Sequence, residues 1–314
     1  GRRAGGLHVL DLRGGAWTEP DVCGAAPELR WGHSMDAYNG WIVVFGGHRR
    51  RDCLADTALL HTEKLEWRDA AVAGSLPPPR GNHASAICSG RLWVFGGDAP
   101  GGLLPHMAWW LGLHDLERGT PRRWEIAAAT GAPPPPSADH TASTIGKTIV
   151  ILGGSSDSGY TPLSHAYVFH VEKLSWTARR CGGAVPRARA GHGSSAAAAA
   201  DGGRWPILVF GGGDGAIGYD DLHALDDKFV WRRLPDQQGG SKDSRPQATE
   251  GAAMAMSGGI LLVVGGYTSR GAVGVCYAHA GVDAAKNDVA ASPHPGDVSK
   301  GGVARGRGSG PAAP

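Results

Sequence analysis

Five times along this 314-residue chain a short apolar run closes on a pair of glycines. The copies are VVFGG ending at Gly46 and Gly47, WVFGG at Gly96 and Gly97, VILGG at Gly153 and Gly154, LVFGG at Gly211 and Gly212, and LVVGG at Gly265 and Gly266. Successive second glycines stand 50, 57, 58 and 54 residues apart. A period of this size means one supersecondary unit per repeat. No unit buries its apolar faces alone, so neighbours must stack. That requirement constrains the fold more than any other feature of the chain.

Two further landmarks keep the same order in each period. Upstream stand RWGH (Arg30 to His33), RGNH (Arg80 to His83), SADH (Ser137 to His140) and RAGH (Arg189 to His192); the fifth copy, TEGAAM, has lost its histidine. Downstream, an alternating run leads through a turn to Trp17, Trp67, Trp124, Trp176 and Trp231. Each period thus holds four strand-length segments, separated by linkers such as SLPPPR and GAPPPPS. Proline cannot donate to a ladder and suits the crossing between sheets. Glycine, 51 of 314 residues, marks the tight turns that many short strands need. No long helical periodicity competes.

This pattern resembles the Kelch repeat, and the resemblance covers about residues 7–280. It implies an all-β propeller of four-stranded antiparallel blades like the central propeller of the galactose-oxidase group. Counting glycine pairs and tryptophans predicts five blades closed by an N-terminal strand. Six, with part missing upstream, is the alternative, because AVGVCYAHA (Ala272 to Ala280) competes with LHVLDL for the third-strand place in the last sheet. Residues 1–280 are expected to form the propeller. Residues 281–314, rich in Gly, Pro and Ala, read as a flexible tail. The chain opens on glycine rather than methionine, which leaves room for a domain upstream.

Composition narrows the function classes. Lysine and arginine number 31 against 29 acids, for a net charge of +2, without the basic excess of a general nucleic-acid binder. No apolar stretch approaches a membrane span, and no signal peptide is visible. Five cysteines without a C-x-x-C read as reduced thiols in a cytoplasmic protein.

Several catalytic readings fail on spacing. FGGHRRR (Phe45 to Arg51) lacks the lysine and Ser/Thr of a phosphate loop, and its glycines recur five times while its arginines occur once. GHSMD around Ser34 lacks the closing glycine of a nucleophile elbow. His33, His83, His140 and His192 are one element repeated, better suited to satisfying backbone groups between strands than to holding metal. The copper site of the galactose-oxidase group and the E-x-x-x-D-x-x-x-H iron motif of specifier proteins are not found. No cofactor or metal is expected.

The expected function is a non-catalytic protein-interaction module, a scaffold or substrate adaptor. A propeller enzyme with a channel site and a structural subunit of a large complex are the alternatives. The resemblance implies that the pocket face is lined by the arginine of each lead-in and by residues just after Gly-Gly. Those positions are Arg30, Arg80 and Arg189, with Ser137 and Thr249 in the weaker repeats, and His48, Asp98, Ser155, Gly213 and Tyr267. Arg49, Arg50 and Arg51 extend the first of these loops. The expected partner is a protein or peptide, and the arginines point to an acidic one.

Overall fold

The computed structural model describes residues 6–196, 207–235, 247–257, 259–269, 271–273 and 276–280. The segment expected as a tail, 281–314, lies outside them. The described residues are strands and turns, with one short 3-10 turn at Leu116–Arg118. None of their helices is long and apolar enough to cross a membrane.

Four blades are complete, each an antiparallel sheet of four strands taken in chain order. The first holds Ser34–Tyr38, Trp41–Arg49, Asp52–His61 and Glu66–Asp69. The second holds Ala84–Cys88, Arg91–Phe95, Trp109–Gly112 and Arg122–Ile126. The third holds Thr141–Ile145, Thr148–Leu152, His165–His170 and Ser175–Arg180. The fourth holds Gly193–Ala196, Ile207–Phe210, Leu222–Leu225 and Val230–Arg233. A fifth sheet has three strands, Ala253–Ser257, Ile260–Val264 and Cys276–Ala280.

The blade count differs from the five expected. Cys276–Ala280 pairs with Ile260–Val264 from Val264↔Cys276 to Ile260↔Ala280. It therefore takes the third-strand place that closure by the N-terminal strand would need. Val9–Asp11 instead forms a hairpin with Ala16–Thr18 and, among the described residues, joins no strand of the fifth sheet.

The core lies between blades, in one cluster per seam. Trp41, Val43 and Phe45 of the first blade pack with Leu92, Val94, Leu111 and Trp124 of the second. Trp93 and Phe95 meet Ile149, Phe169 and Trp176 of the third. Leu152 and Val168 meet Ile207, Leu225 and Trp231 of the fourth, and Leu208 and Ala224 meet Leu261 of the fifth. The second strands read as unbroken apolar runs because both faces are covered. In the second and third blades the tryptophan reaches back to the blade before it: Trp124 lies 4.8 Å from Phe45 and Trp176 lies 5.4 Å from Phe95, ring to ring.

The linkers repeat as well. A glycine seven residues after the tryptophan lies on the next blade's tryptophan: Gly24 on Trp67, Gly131 on Trp176, Gly183 on Trp231. Each has positive φ, and a Cβ there would strike the tryptophan carbonyl. Cys23–Gly24, Val72–Ala73 and Gly182–Gly183 run parallel to the fourth strands they adjoin.

Candidate interaction face

The glycine pairs and the lead-ins form one device repeated from seam to seam, with a histidine in the first three. A Cβ on the first glycine would meet the histidine of the next blade: His83 Cε1 at 3.2 Å for Gly46, His140 Cε1 at 2.7 Å for Gly96, His192 Cε1 at 2.5 Å for Gly153. The second glycine faces its own blade's lead-in, as Gly97 does the Cβ of His83 at 2.8 Å. Its N–H donates to the next lead-in: Gly47 to Arg80 O at 2.8 Å, Gly97 to Ser137 O at 2.9 Å, Gly154 to Arg189 O at 3.0 Å and Gly212 to Thr249 O at 2.8 Å.

The residue before each histidine closes an inner circuit. Asn82 N donates to Gly32 O, Asp139 N to Asn82 O, Gly191 N to Asp139 O and Gly251 N to Gly191 O, at 2.7–2.9 Å. All five have φ between 49° and 69°, which explains why only Gly, Asn and Asp occur there.

Three of the buried histidines serve these seams. His83 Nε2 hydrogen-bonds with Ser34 Oγ and His192 Nε2 with Thr141 Oγ1, both at 3.0 Å and both across a seam. His140 packs against His106, ring centroids 4.5 Å apart and planes tilted by 52°. Burial keeps His140 neutral, its pKa lowered to about 4, and burial together with Arg189 and His140 lowers His192 to about 3.

The structure places the three lead-in arginines inside the fold. Arg80 and Arg189 are 2% and 0% exposed. Arg30, Arg80 and Arg189 each donate to the carbonyl of their own blade's first glycine, Gly46, Gly96 and Gly211, at 3.0, 2.8 and 2.9 Å. That carbonyl is left over where the left-handed glycine breaks the ladder, and a guanidinium is long enough to reach it. Arg30 is held by both oxygens of Asp56 and Arg189 by both of Asp221. Arg80 has burial as its main influence, and its pKa falls to about 10. Burial alone would raise Asp221, but hydrogen bonds from His223 and Arg189 hold it below the ordinary carboxylate range. Ser137 and Thr249 are buried at the corresponding positions.

The post-glycine residues lie on short hairpins. His48 stacks on Trp31, ring centroids 5.1 Å apart; its Nδ1 stands 3.3 Å from Cys53 Sγ and its Nε2 3.4 Å from Asp98 Oδ1. The line Cys53–His48–Asp98 has the order of a nucleophile, base and acid, and no sequence spacing announced it. Burial and the nearby Asp98 push the Cys53 thiol up, which opposes thiolate formation. Ser155 bridges to Ala138, and Tyr267, 67% exposed, to Glu250. Gly213 lies between Ala190 and Gly218.

Arg49, Arg50 and Arg51 form the tip of the first hairpin. Arg49 pairs with Glu28. Arg50 takes a left-handed conformation, φ 55°, at the turn. Among the described residues neither Arg50 nor Arg51 forms an ion pair, and both are exposed. Glu28, Leu29, Arg49, Arg50 and Asp52 line an open cleft of about 550 Å³, with Leu29 51% exposed. Elsewhere the residues near the inner circuit are acidic. Enclosure, then Asp98 and Glu250, raise Asp139 to about 6, and enclosure raises Asp36 to about 6 against a hydrogen bond from Ser85.

Comparison with known proteins agrees with this architecture. A family model described as the KLHDC2/KLHL20/DRC7 Kelch-repeats domain matches residues 1–106 and 109–266. Adagio protein 3 of Arabidopsis thaliana is 32% identical over 83% of the chain and 42% of its own length. Acyl-CoA-binding domain-containing protein 4 of the same plant is 28% identical over 80% of the chain and 36% of its own length. Adagio-like protein 1 of Oryza sativa is 32% identical over 72% of the chain and 38% of its own length. The chain spans about two fifths of these relatives. With the family model matched over most of its length and each repeat landmark placed in a blade, the chain belongs to the Kelch-repeat propeller family.

Proposed function

We propose that this propeller is a non-catalytic protein-interaction module that grips an acidic segment of its partner at the first-blade hairpin tip. The observation that carries the reading is the state of the arginines. Arg30, Arg49 and Arg189 are paired internally, whereas Arg50 and Arg51 stand exposed at the hairpin tip and Arg50 lines the cleft that holds the apolar Leu29. Exposed guanidiniums next to an apolar cleft suit a carboxylate flanked by a hydrophobic side chain. Kelch propellers generally serve as protein-interaction modules, which supports the class of function, and His48, Asp98, Ser155 and Tyr267 extend the same face. The unpaired thiols of Cys23, Cys53, Cys88 and Cys181 suit a reducing, cytoplasmic setting.

The test is selection from a random 12-residue peptide display library. Wild-type protein should enrich Asp- and Glu-rich sequences with an apolar neighbour. R50E/R51E should lose that enrichment with its melting temperature unchanged, since both side chains are exposed. Equal acidic enrichment on both proteins would sink the assignment to the hairpin tip. No enriched family on either would sink the interaction reading.

A further inference from the structure

Each blade sets the residue after its Gly-Gly pair opposite a second residue across a short hairpin. The pairs are His48↔Cys53, Asp98↔Leu103, Ser155↔Tyr160, Gly213↔Gly218 and Tyr267↔Ala272. The first member of each pair also bridges to its own lead-in, at Trp31, Gly81, Ala138, Ala190 and Glu250 in turn. None of the three places holds a constant residue, so the scaffold does not dictate what stands there. Cys53, His48, Asp98 and Gly81 are therefore not demanded by the repeat, yet they meet at the seam between the first two blades.

His48 crosses that seam. Its ring lies on Gly81, where a Cβ would strike Cδ2 and Nε2. Gly81 has no positive φ, so room for the imidazole, rather than backbone conformation, is what calls for glycine there. Trp31 stacks on the same ring, with planes 27° apart. The imidazole is thus held in one place, with Nδ1 3.3 Å from Cys53 Sγ and Nε2 3.4 Å from Asp98 Oδ1. That oxygen is buried and has no hydrogen-bond partner among the described residues. A buried acceptor without a donor is costly, so it favours the tautomer with the proton on Nε2. The Nδ1 lone pair then faces the thiol. Cys53 is half-buried, which leaves its sulfur within reach of a small molecule.

We propose that Cys53 is a covalent modification site for uncharged α,β-unsaturated carbonyl compounds, with His48 as its base. Sγ attacks the β-carbon while the thiol proton passes to Nδ1. The π pair of the C=C bond moves onto the carbonyl and gives an enolate. The imidazolium returns the proton to the α-carbon, which leaves a thioether and a neutral His48. Nothing is oxidised and no group departs, so no co-reactant is needed. Burial and then Asp98 keep the resting thiol protonated, so the sulfur becomes nucleophilic only as a base takes its proton. The charges select the class of reagent, because Asp98 and Asp52 both act on the sulfur and oppose an anion. Trp31, 41% exposed beside His48, offers a flat apolar surface to a conjugated molecule. Arg50 and Arg51 take no part, so the site stands whether or not the hairpin tip binds a peptide.

The probes are N-ethylmaleimide and its anionic analogue 3-maleimidopropionate, which share one reacting group. The rate of adduct formation at each cysteine of the full chain is followed by peptide mass spectrometry. Exposed Cys23 is the internal reference, and buried Cys88 reports on folding. At pH 7, N-ethylmaleimide should label Cys53 about tenfold or more faster than Cys23, and the anionic probe should lose most of that advantage. His48→Gln should slow Cys53 about tenfold or more, with Cys23 unchanged and Cys88 unlabelled. In that variant the logarithm of the Cys53 rate should rise by about one per pH unit from pH 6 to 9, and in wild type by well under one above pH 7. Asp98→Leu should slow Cys53 several-fold but keep the shallow profile, because the base remains. Cys53 no faster than Cys23 in wild type, or a rate and slope that His48→Gln leaves unchanged, overturns the proposal. An equal advantage with both probes overturns the assignment to uncharged reagents. If Cys88 becomes labelled in His48→Gln, that variant has opened and the wild-type profile decides, a slope of one overturning the role of His48.

Discussion

The leading face of the second blade and the leading face of the first are built from the same motif and differ in what covers them. At the second, His83 enters the space over Gly46, Trp124 lies on Phe45, and Asn82 donates to Gly32. At the first, His33, Trp67 and Gly32 hold the same positions in their own blade, and His33 and Trp67 keep more exposure. A Kelch residue is therefore stabilised mainly by the blade before its own. Its worth depends on the seam rather than on the motif, as nearest-neighbour energetics of stacked repeats requires.

The largest test of that difference is at the tryptophans. Trp176 is 4% exposed and touches Phe95 and Phe169, so Trp176→Ala should cost about 3–5 kcal/mol in urea unfolding. Trp67→Ala removes a side chain that is already half wet, and roughly 1–2 kcal/mol is expected. Equal losses would mean that the two faces are not energetically distinct.

The glycines sharpen the same contrast. At Gly153, φ is 62° and a Cβ would come within 2.5 Å of His192 Cε1. Gly153→Ala should combine a left-handed cost of about 1–2 kcal/mol with an overpacking cost of about 1–3 kcal/mol. Gly265 has φ 70° but no atom nearer than Val273 O at 3.6 Å, since no histidine follows it among the described residues. Gly265→Ala should carry the backbone cost alone. Melting temperatures of the two variants give the comparison, and an equal drop would show that the histidine does not matter.

Much of this was legible in the residues. The period, the glycine pairs and the tryptophans are local signals, and each fell on its strand or turn. The roles of Arg80 and Arg189 were not legible, because what draws them inward is a backbone carbonyl sixteen and twenty-two residues away. A sequence gives the side chain but not the orphaned acceptor it serves. The glycine seven residues after each tryptophan was visible in principle but has meaning only once the next blade's tryptophan carbonyl is seen against it. Closure by the N-terminal strand is not seen among the described residues, and the sequence could not decide it because Ala272 to Ala280 and the N-terminal run have equal strand character. Only pairing registers tell them apart.

The smallest effect is one of pH, and its sign separates the buried histidines from the acids around them. His192 is lowered from 6.5 to about 3, so its contribution is full above pH 6.5 and is lost as the pH falls toward 3. Asp36 and Asp139 are raised from 3.8 to about 6, so theirs is lost as the pH rises from about 4 through 6, the opposite slope. The acids contribute equally to wild type and to a histidine variant, so they cancel in the difference. Between pH 6.5 and 5.5, wild type should lose about 1 kcal/mol more than His192→Gln, because the unfolded imidazole goes from half to roughly nine-tenths protonated while the folded one stays neutral. Glutamine can still reach Thr141 Oγ1, which isolates titration from the lost contact. His33 is shifted the same way by enclosure and by Arg30 but stays open to water, so the His33→Gln difference should be smaller. If the two variants change the slope equally, the first blade's leading face is as enclosed as the others, and the contrast between the faces fails at its most sensitive point.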